Sequence, residues 1–156
     1  MLQPIVLFVT LLLYSIIVSQ SFSYIISQRQ VQQAMDGEAY LQFRKLTDRL
    51  FQQRYRPVMY AGLLSNLALV MISALSADKW VLISATTAFF ALVADAMVTV
   101  KGNLPINAII NQWTAETLPA DWQQYRRRWL QVYSIRQVLS IVGYCSLLAA
   151  AVFGRL

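Results

Sequence analysis

Four long apolar runs constrain the fold of this chain more than any other feature of its sequence. They cover about residues 4–27, 57–75, 80–100 and 130–153, and about 20 apolar residues are enough to cross the hydrocarbon core of a bilayer. Of the 156 residues, 58% are hydrophobic and 13% are charged, whereas soluble domains have about 45–50% and about 25%. We therefore predict an all-α polytopic membrane protein, a single domain spanning residues 1–156, whose four crossings form an antiparallel bundle.

The first run is interpreted as a retained crossing and not as a cleaved signal peptide. No positive charge precedes it, and it is longer than the roughly 7–15 residues of a signal's apolar core. Asp78-Lys79 forms a very short connection, which joins antiparallel neighbours, so the second and third crossings should form a helical hairpin.

The polar segments beside these runs are also predicted to be largely helical. Apolar residues recur at helical spacing from Tyr40 to Tyr55, which indicates an amphipathic helix that runs into the second crossing, with Arg44 and Asp48 on its other faces. After the third run, Pro105 predicts the start of a short helix over residues 106–113. The last helix should begin near Ala120.

The distribution of cations predicts the orientation of the bundle. Ten lie in the two large polar segments, and two lie on the opposite side, Lys79 and Arg155. Because loops rich in Lys and Arg stay in the cytoplasm, both large segments should be cytoplasmic, as extensions of the helices, and both termini should lie outside. The ten cations are Arg29, Arg44, Lys45, Arg49, Arg54, Arg56, Lys101, Arg126, Arg127 and Arg128.

The composition also narrows the chemistry. The chain has no histidine, which argues against His-ligated haem, the usual zinc enzymes and mixed His/carboxylate iron sites. We therefore expect no metal and no cofactor. The net charge of +6 is explained by cations that flank the apolar runs, so we expect a lipid bilayer and no nucleic acid as partner.

Two ionisable residues fall inside predicted crossings, where charges are expensive and mark candidate sites. Asp95 in the third crossing and Arg136 in the fourth lie at matching depth in antiparallel helices. We predict that they form a buried ion pair. Asp95, Thr99 and Asn103 are spaced by four residues, so they share one helix face.

Two interpretations of these polar positions stay open. One is interhelical packing and hydrogen bonding, with the ion pair as a structural clamp. The other is a pocket for a hydrophobic small molecule, because aromatic side chains with a few convergent polar groups make a plausible ligand site. The candidate ligand-binding side chains are Gln20, Tyr60, Asn66, Trp113, Trp129 and Tyr133.

The segment Asn103-Leu104-Pro105-Ile106-Asn107, followed by Trp113, Trp122, Arg127-x-Trp129 and Arg136, resembles a pattern of the anthrone oxygenase-like family. These are small four-helix membrane proteins, many of them grouped as a domain of unknown function. The resemblance covers most of the chain. It implies oxidation of a hydrophobic aromatic compound without metal or flavin, as the named members oxidise polyketide anthrones to anthraquinones; most relatives have no established activity.

Cofactor-free oxidation of this kind needs a base, an oxyanion stabiliser and a dry pocket. From depth and chemistry we assign Asp95 as the candidate base and Arg136, Asn103 and Asn107 as candidate stabilisers. The alternative for the two asparagines is helix capping and loop bracing. The alternative for the whole protein is a non-catalytic membrane scaffold, assembly factor or complex subunit, with a membrane partner or a second copy of the chain; a transporter is a third, weaker option.

Overall fold

The structure, a computed structural model, describes residues 2–76 and 78–154, and all regular elements in these ranges are helical. Four continuous helices are present: α1 (Leu2–Ala34), α2 (Gly37–Ala74), α3 (Lys79–Ile110) and α4 (Trp122–Phe153). Each is long and apolar enough to cross a membrane. The predicted fold class, an all-α membrane protein with four spanning helices, is confirmed.

The helices pack in a ring, in which each one packs mainly against two neighbours. α3 packs most extensively against α4, and α1 against α2, α2 against α3 and α1 against α4 complete the ring. Short connections at residues 35–36 and 75–78 and a longer one at residues 111–121 link successive helices. All four helices extend past the predicted crossings at one end, which holds residues 28–56 and 101–128 and which we call the polar end.

Which side of the membrane the polar end faces stays a prediction. The cation count depends on the positive-inside rule, and one of the two cations counted on the opposite side, Arg155, lies outside the described residues. The other, Lys79, is exposed at the first residue of α3.

The membrane-depth core combines large side chains from some helices with small ones from others. Tyr14 on α1 is fully buried, and its hydroxyl donates to the carbonyl of Ala88 on α3 at 3.3 Å. Gly143 on α4 faces the aromatic ring of Tyr14, and Ala85 on α3 is also fully buried. Small residues let membrane helices approach closely where hydrophobic association is absent. Large apolar side chains cover the outer faces and are exposed, for example Phe8, Leu64, Phe90 and Val138.

Polar side chains satisfy free backbone groups at the helix ends. Asp36 accepts from the Ala39 amide at 2.9 Å and caps α2, while Asp78 accepts from the Trp80 amide at 2.8 Å and caps α3. Arg126 donates to the carbonyls of Gln32 and Met35, each at 2.9 Å, at the C-terminal end of α1. Arg126 therefore has a structural contact in addition to its predicted part in orientation.

Three of the four helices contain a π-helical turn at the polar end. These turns are Tyr24–Gln28 in α1, Phe51–Tyr55 in α2 and Thr99–Asn103 in α3. Each includes a backbone bond that spans five residues, as from the Leu104 amide to the Thr99 carbonyl. π-Turns inside α-helices are rare and are frequent at functional sites.

The short helix predicted over residues 106–113 is present over Leu104–Ile110, but it ends earlier than predicted and is continuous with the rest of α3. Residues 111–112 form a turn. Proline has no N–H and its ring clashes with the carbonyl four residues earlier. The π-turn immediately before Pro105 widens the backbone where that carbonyl lies, so the helix passes through the proline. Pro57 follows the π-turn of α2 in the same way.

The close approach of Gly143 and Tyr14 gives a stability prediction. A Cβ at position 143 would overlap the Tyr14 hydroxyl and lie 2.6 Å from Cζ of that ring. Gly143→Ala should therefore lower the melting temperature in detergent, since overpacking a tight core costs about 1–3 kcal/mol. Tyr14→Phe should restore part of the loss because it removes the overlapping oxygen. The exposed neighbour change Cys145→Ala is the control; strictly additive losses in the double variant would contradict this account.

Candidate functional site

A cavity of about 510 Å³ lies at the polar end, between the π-turns of α2 and α3. This volume is within the range of small-molecule sites, roughly 300–1,000 Å³. The wall comes mainly from α2, α3 and α4, with Tyr24 from α1. Three charged side chains on the wall are buried: Arg44, Asp48 and Arg136.

The predicted contact between Asp95 and Arg136 is present. Arg136 Nε donates to Asp95 Oδ1 at 2.6 Å, and both residues are buried. Arg136 lies on the cavity wall, whereas Asp95 is not among the wall residues. The pair therefore links α3 to α4 and presents its cationic member to the cavity. An ion pair with good geometry offsets part of the cost of placing both charges at membrane depth.

Asn103 braces α3 against α4 and does not cap a helix. Its amide donates to the Trp129 carbonyl at 3.2 Å, and its Oδ1 accepts from Arg136 Nη1 at 3.4 Å. It makes no side-chain capping bond where residues 104–110 begin. The capping alternative therefore does not hold for this residue, although bracing does.

Asn107 connects three helices through its side-chain amide. Its Oδ1 accepts from Arg44 Nη2 at 2.8 Å and from Trp129 Nε1 at 2.9 Å, and its Nδ2 donates to Asp48 Oδ1 at 2.7 Å. Arg44 and Asp48 lie on α2, and Trp129 lies on α4. The oxygen of this neutral amide thus accepts from a buried cation of α2, and its nitrogen donates to a buried carboxylate of the same helix.

Arg44 and Asp48 were not predicted as site residues. Their charges placed them on the polar faces of an amphipathic helix, yet Arg44 is only 3% exposed and Asp48 6%. The signal that could have identified them is a matched spacing. Asn103, Asn107 and Asn111 repeat every four residues along the end of α3 and the residue that follows it, and Arg44 and Asp48 are four residues apart on α2.

Asp48 accepts hydrogen bonds from three side-chain amides. Besides Asn107, its Oδ2 accepts from Asn111 Nδ2 at 2.8 Å and from Gln52 Nε2 at 3.1 Å. Asn111 and Gln52 are exposed, so the carboxylate sits between the buried network and the surface of the polar end. All three donors are neutral amides, and none of these hydrogen bonds to Asp48 comes from a cation.

Three aromatic rings form a stacked wall beside the charged groups. Trp129 and Tyr133 stack with centroids 5.0 Å apart, and Tyr24 lies 4.2 Å from Tyr133. The Arg44 guanidinium lies over Trp129, with Cζ 3.8 Å from the ring centroid, a cation–π contact. The cavity therefore offers flat apolar surfaces and fixed donors together, which suits a planar ligand that carries oxygen atoms.

The remaining predicted ligand-binding residues are spread more widely. Tyr60 lines the cavity at its rim and is 52% exposed. Asn66 is fully buried in the membrane-depth core; with its amide oriented to suit its surroundings, it donates to the Ala85 carbonyl at 3.2 Å. Gln20, half-buried on α1, is likewise away from the cavity.

Trp113 also lies outside the cavity wall. It is buried against Tyr125, with ring centroids 5.0 Å apart, and its carbonyl accepts from Lys45 Nζ. Through these contacts Trp113 anchors the segment that precedes α4 against α2. Of the predicted ligand-binding residues, Tyr60, Trp129 and Tyr133 line this cavity, whereas Gln20, Asn66 and Trp113 do not.

No group of three His, Cys, Asp or Glu side chains that could hold a metal occurs within residues 2–76 and 78–154. The chemistry that the cavity residues themselves offer is hydrogen bonding, charge stabilisation and proton transfer. Arg44 and Arg136 supply cationic donors, and Asp48 supplies a carboxylate on the wall.

Comparison of the chain with protein-family models, curated proteins and solved structures finds no match. Functional interpretation therefore depends on the geometry of the cavity, and the family resemblance of the Asn-Leu-Pro-Ile-Asn segment stays a hypothesis.

The ion pair gives a prediction about stability. Asp95→Asn leaves the Arg136 charge buried with no anionic partner, and removal of one member of a buried pair costs about 3–5 kcal/mol. The double variant Asp95→Asn/Arg136→Gln removes both charges, so it should be more stable than Asp95→Asn alone. Thermal unfolding in detergent measures both. A double variant that loses the sum of the two single losses would contradict a coupled pair.

The Asn107 bridge gives a second prediction. Asn107→Ala should lower the stability by about 1–3 kcal/mol, because Arg44 Nη2, Trp129 Nε1 and Asp48 Oδ1 all lose a buried hydrogen-bond partner. Asn111→Ala is the matched control, since it also removes an amide from Asp48 but at an exposed position where water can replace it. Equal losses of stability in the two variants would show that the buried Asn107 bridge stabilises the protein no more than the exposed hydrogen bond of Asn111.

Proposed function

We propose that this membrane protein binds a hydrophobic aromatic small molecule in the cavity at the polar end. The observation that carries the proposal is the cavity of about 510 Å³ whose wall combines stacked aromatic rings with three buried charged side chains. A bundle that used these polar groups only as a clamp would have no need of this space between α2 and α3.

The cost of the charged residues supports the same proposal. Arg136 falls within a predicted crossing, where charged side chains are expensive and commonly mark ligand or ion sites. Arg44 and Asp48 are buried inside the protein, which is also costly for a charge. Hydrophobic residues of similar volume often replace a buried ion pair at no loss of stability. Arg44, Asp48 and Arg136 share one cavity wall. Recognition of polar atoms on a ligand explains why all three charged side chains are placed there.

The finer part of the proposal is oxidation of that ligand by dioxygen, as in the anthrone oxygenase-like family. Asp48 takes a proton from an activated ring CH₂ group, and the carbanion gives two electrons to O₂ with formation of a C–O bond. Loss of the second proton and cleavage of the O–O bond then give a ring carbonyl and one water. The cations Arg44 and Arg136 stabilise the charge that develops on oxygen.

The structure changes which carboxylate suits the role of base. Asp95 is held by Arg136 and is not on the wall, whereas Asp48 is. A general base must lie within hydrogen-bond reach of the proton that it removes. In this proposal Asp48 is the base, Asp95 positions Arg136, and Asn103 and Asn107 hold the two cations.

Oxygen consumption on anthrone tests the reaction. Wild-type protein in lipid nanodiscs should consume one O₂ per anthrone, and Asp48→Asn should reduce the rate by about 100-fold or more, since general bases contribute roughly 10²–10⁴. Anthrone binding should change far less, because Asn keeps the size of the side chain. Glu116→Gln, which alters an exposed carboxylate away from the cavity, is the control.

The outcomes separate the two classes of function. Binding without oxygen consumption would support the ligand site and overturn the reaction. Failure of anthrone and other aromatic compounds to bind would favour the alternative, a non-catalytic membrane scaffold, assembly factor or complex subunit in which the polar network holds the helices together.

A further inference from the structure

We propose that the natural ligand has an aromatic or quinoid head group and an apolar tail, and that the tail leaves the cavity between α2 and α3 into the surrounding lipid. The proposal rests on the proposed function, because it takes the cavity as a site for an aromatic compound. It adds the shape and polarity of the ligand and the direction from which the ligand arrives.

The exposed wall residues Tyr60 on α2 and Val100 on α3 point to a sideways opening between these two helices. The mouth of the cavity lies where the π-turns Phe51–Tyr55 and Thr99–Asn103 face the same space, and residues of both turns line it. Nearer the membrane core, α2 and α3 pack against each other again. A gap between neighbouring helices of a bundle faces the lipid on its outer side, so a membrane-dissolved molecule can reach it without first entering water.

The rim of this gap changes from apolar to polar along the bundle. Val100 is 60% exposed and Tyr60 52%, and both fall within predicted crossings. Exposed polar side chains follow toward the polar end, with Gln52 and Asn111 on the rim. A ligand that matches this gradient has one apolar end and one polar end.

Arg56 and Tyr60 form a contact at the boundary between the two parts of the rim. Arg56 Nε donates to the Tyr60 hydroxyl at 3.1 Å, and both residues are exposed. Long basic side chains and tyrosine place their apolar parts in lipid and their polar ends at the interface. This contact therefore fits the depth at which a head group would pass from lipid into the cavity.

The cavity wall holds a fixed cationic donor. Arg44 is 3% exposed and lines the cavity. The guanidinium is held in place by Asn107 and by the Trp129 ring. Arg44 and Arg136 are both cationic donors on the cavity wall, and a quinone or phenol oxygen is a fitting acceptor for such donors.

Binding of matched quinones tests the proposal. The probes are a benzoquinone with a decyl tail, the same benzoquinone without the tail, and decylbenzene, which has the tail but no oxygen. The full chain is placed in nanodiscs, and binding is followed by quenching of tryptophan fluorescence or, for decylbenzene, by competition with the tailed quinone. Affinities are expressed as mole fraction in lipid, so that differences in partitioning cancel.

The tailed quinone should bind at least ten-fold more tightly than the tail-less one, and decylbenzene should not compete. Val100→Phe narrows the apolar rim and should weaken the tailed quinone about five-fold or more while the tail-less quinone changes less than two-fold. Val138→Phe is the matched control, because Val138 is similarly exposed (62%) but lies on α4 away from the cavity. It should change neither affinity.

Each result bears on one of the two proposals. Equal affinities of the two quinones, or equal effects of Val100→Phe on both, would overturn the lateral tail while leaving an aromatic site in place. Competition by decylbenzene as strong as by the tailed quinone would show that the oxygen atoms, and with them Arg44, are not recognised. Absence of binding by every quinone and by anthrone would overturn the proposed function itself.

Discussion

The structure depends on how four buried charges are kept tolerable in surroundings of low dielectric. Asp95 and Arg136 meet directly at 2.6 Å, whereas Arg44 and Asp48 are joined through the amide of Asn107. The first arrangement neutralises charge by contact. The second keeps the cation and the carboxylate apart, so each retains a surface toward the cavity. Since an isolated charge would be far more costly, the positions of α2, α3 and α4 at the polar end are tied to these contacts.

The fold and the ion pair could be predicted from the sequence because both follow from strong, local signals. Apolar runs of spanning length specify crossing helices, and a short connection such as Asp78-Lys79 specifies antiparallel neighbours. Asp95 and Arg136 are ionisable residues in runs that otherwise exclude charge, so a partner at equal depth was the simplest expectation. The structure adds that only Arg136 faces the cavity.

The rest of the site could not be predicted from the sequence because its residues lie where the apolar runs end. Arg44 and Asp48 belong to an amphipathic segment in which charged residues are normally solvated, and only the fold of α2 against α3 shows that they are buried. Gln20 and Asn66 failed as cavity residues for the opposite reason. A polar residue in a crossing faces the bundle, but its depth decides whether it meets a cavity or a packed core, as Asn66 does between α2 and α3.

The three π-turns change which residues share a helix face. A π-turn accommodates roughly one residue more than an α-turn, so side chains beyond it are rotated relative to an uninterrupted helix. The membrane part and the polar part of α1, α2 and α3 therefore follow two different phases of the same helical repeat. Loss of one residue within Thr99–Asn103 would bring the two phases of α3 together. Asn107 would then still face Arg44 and Asp48, whereas loss of one residue from a regular α-helical turn between Asp95 and Thr99 would turn Asn107 away from both.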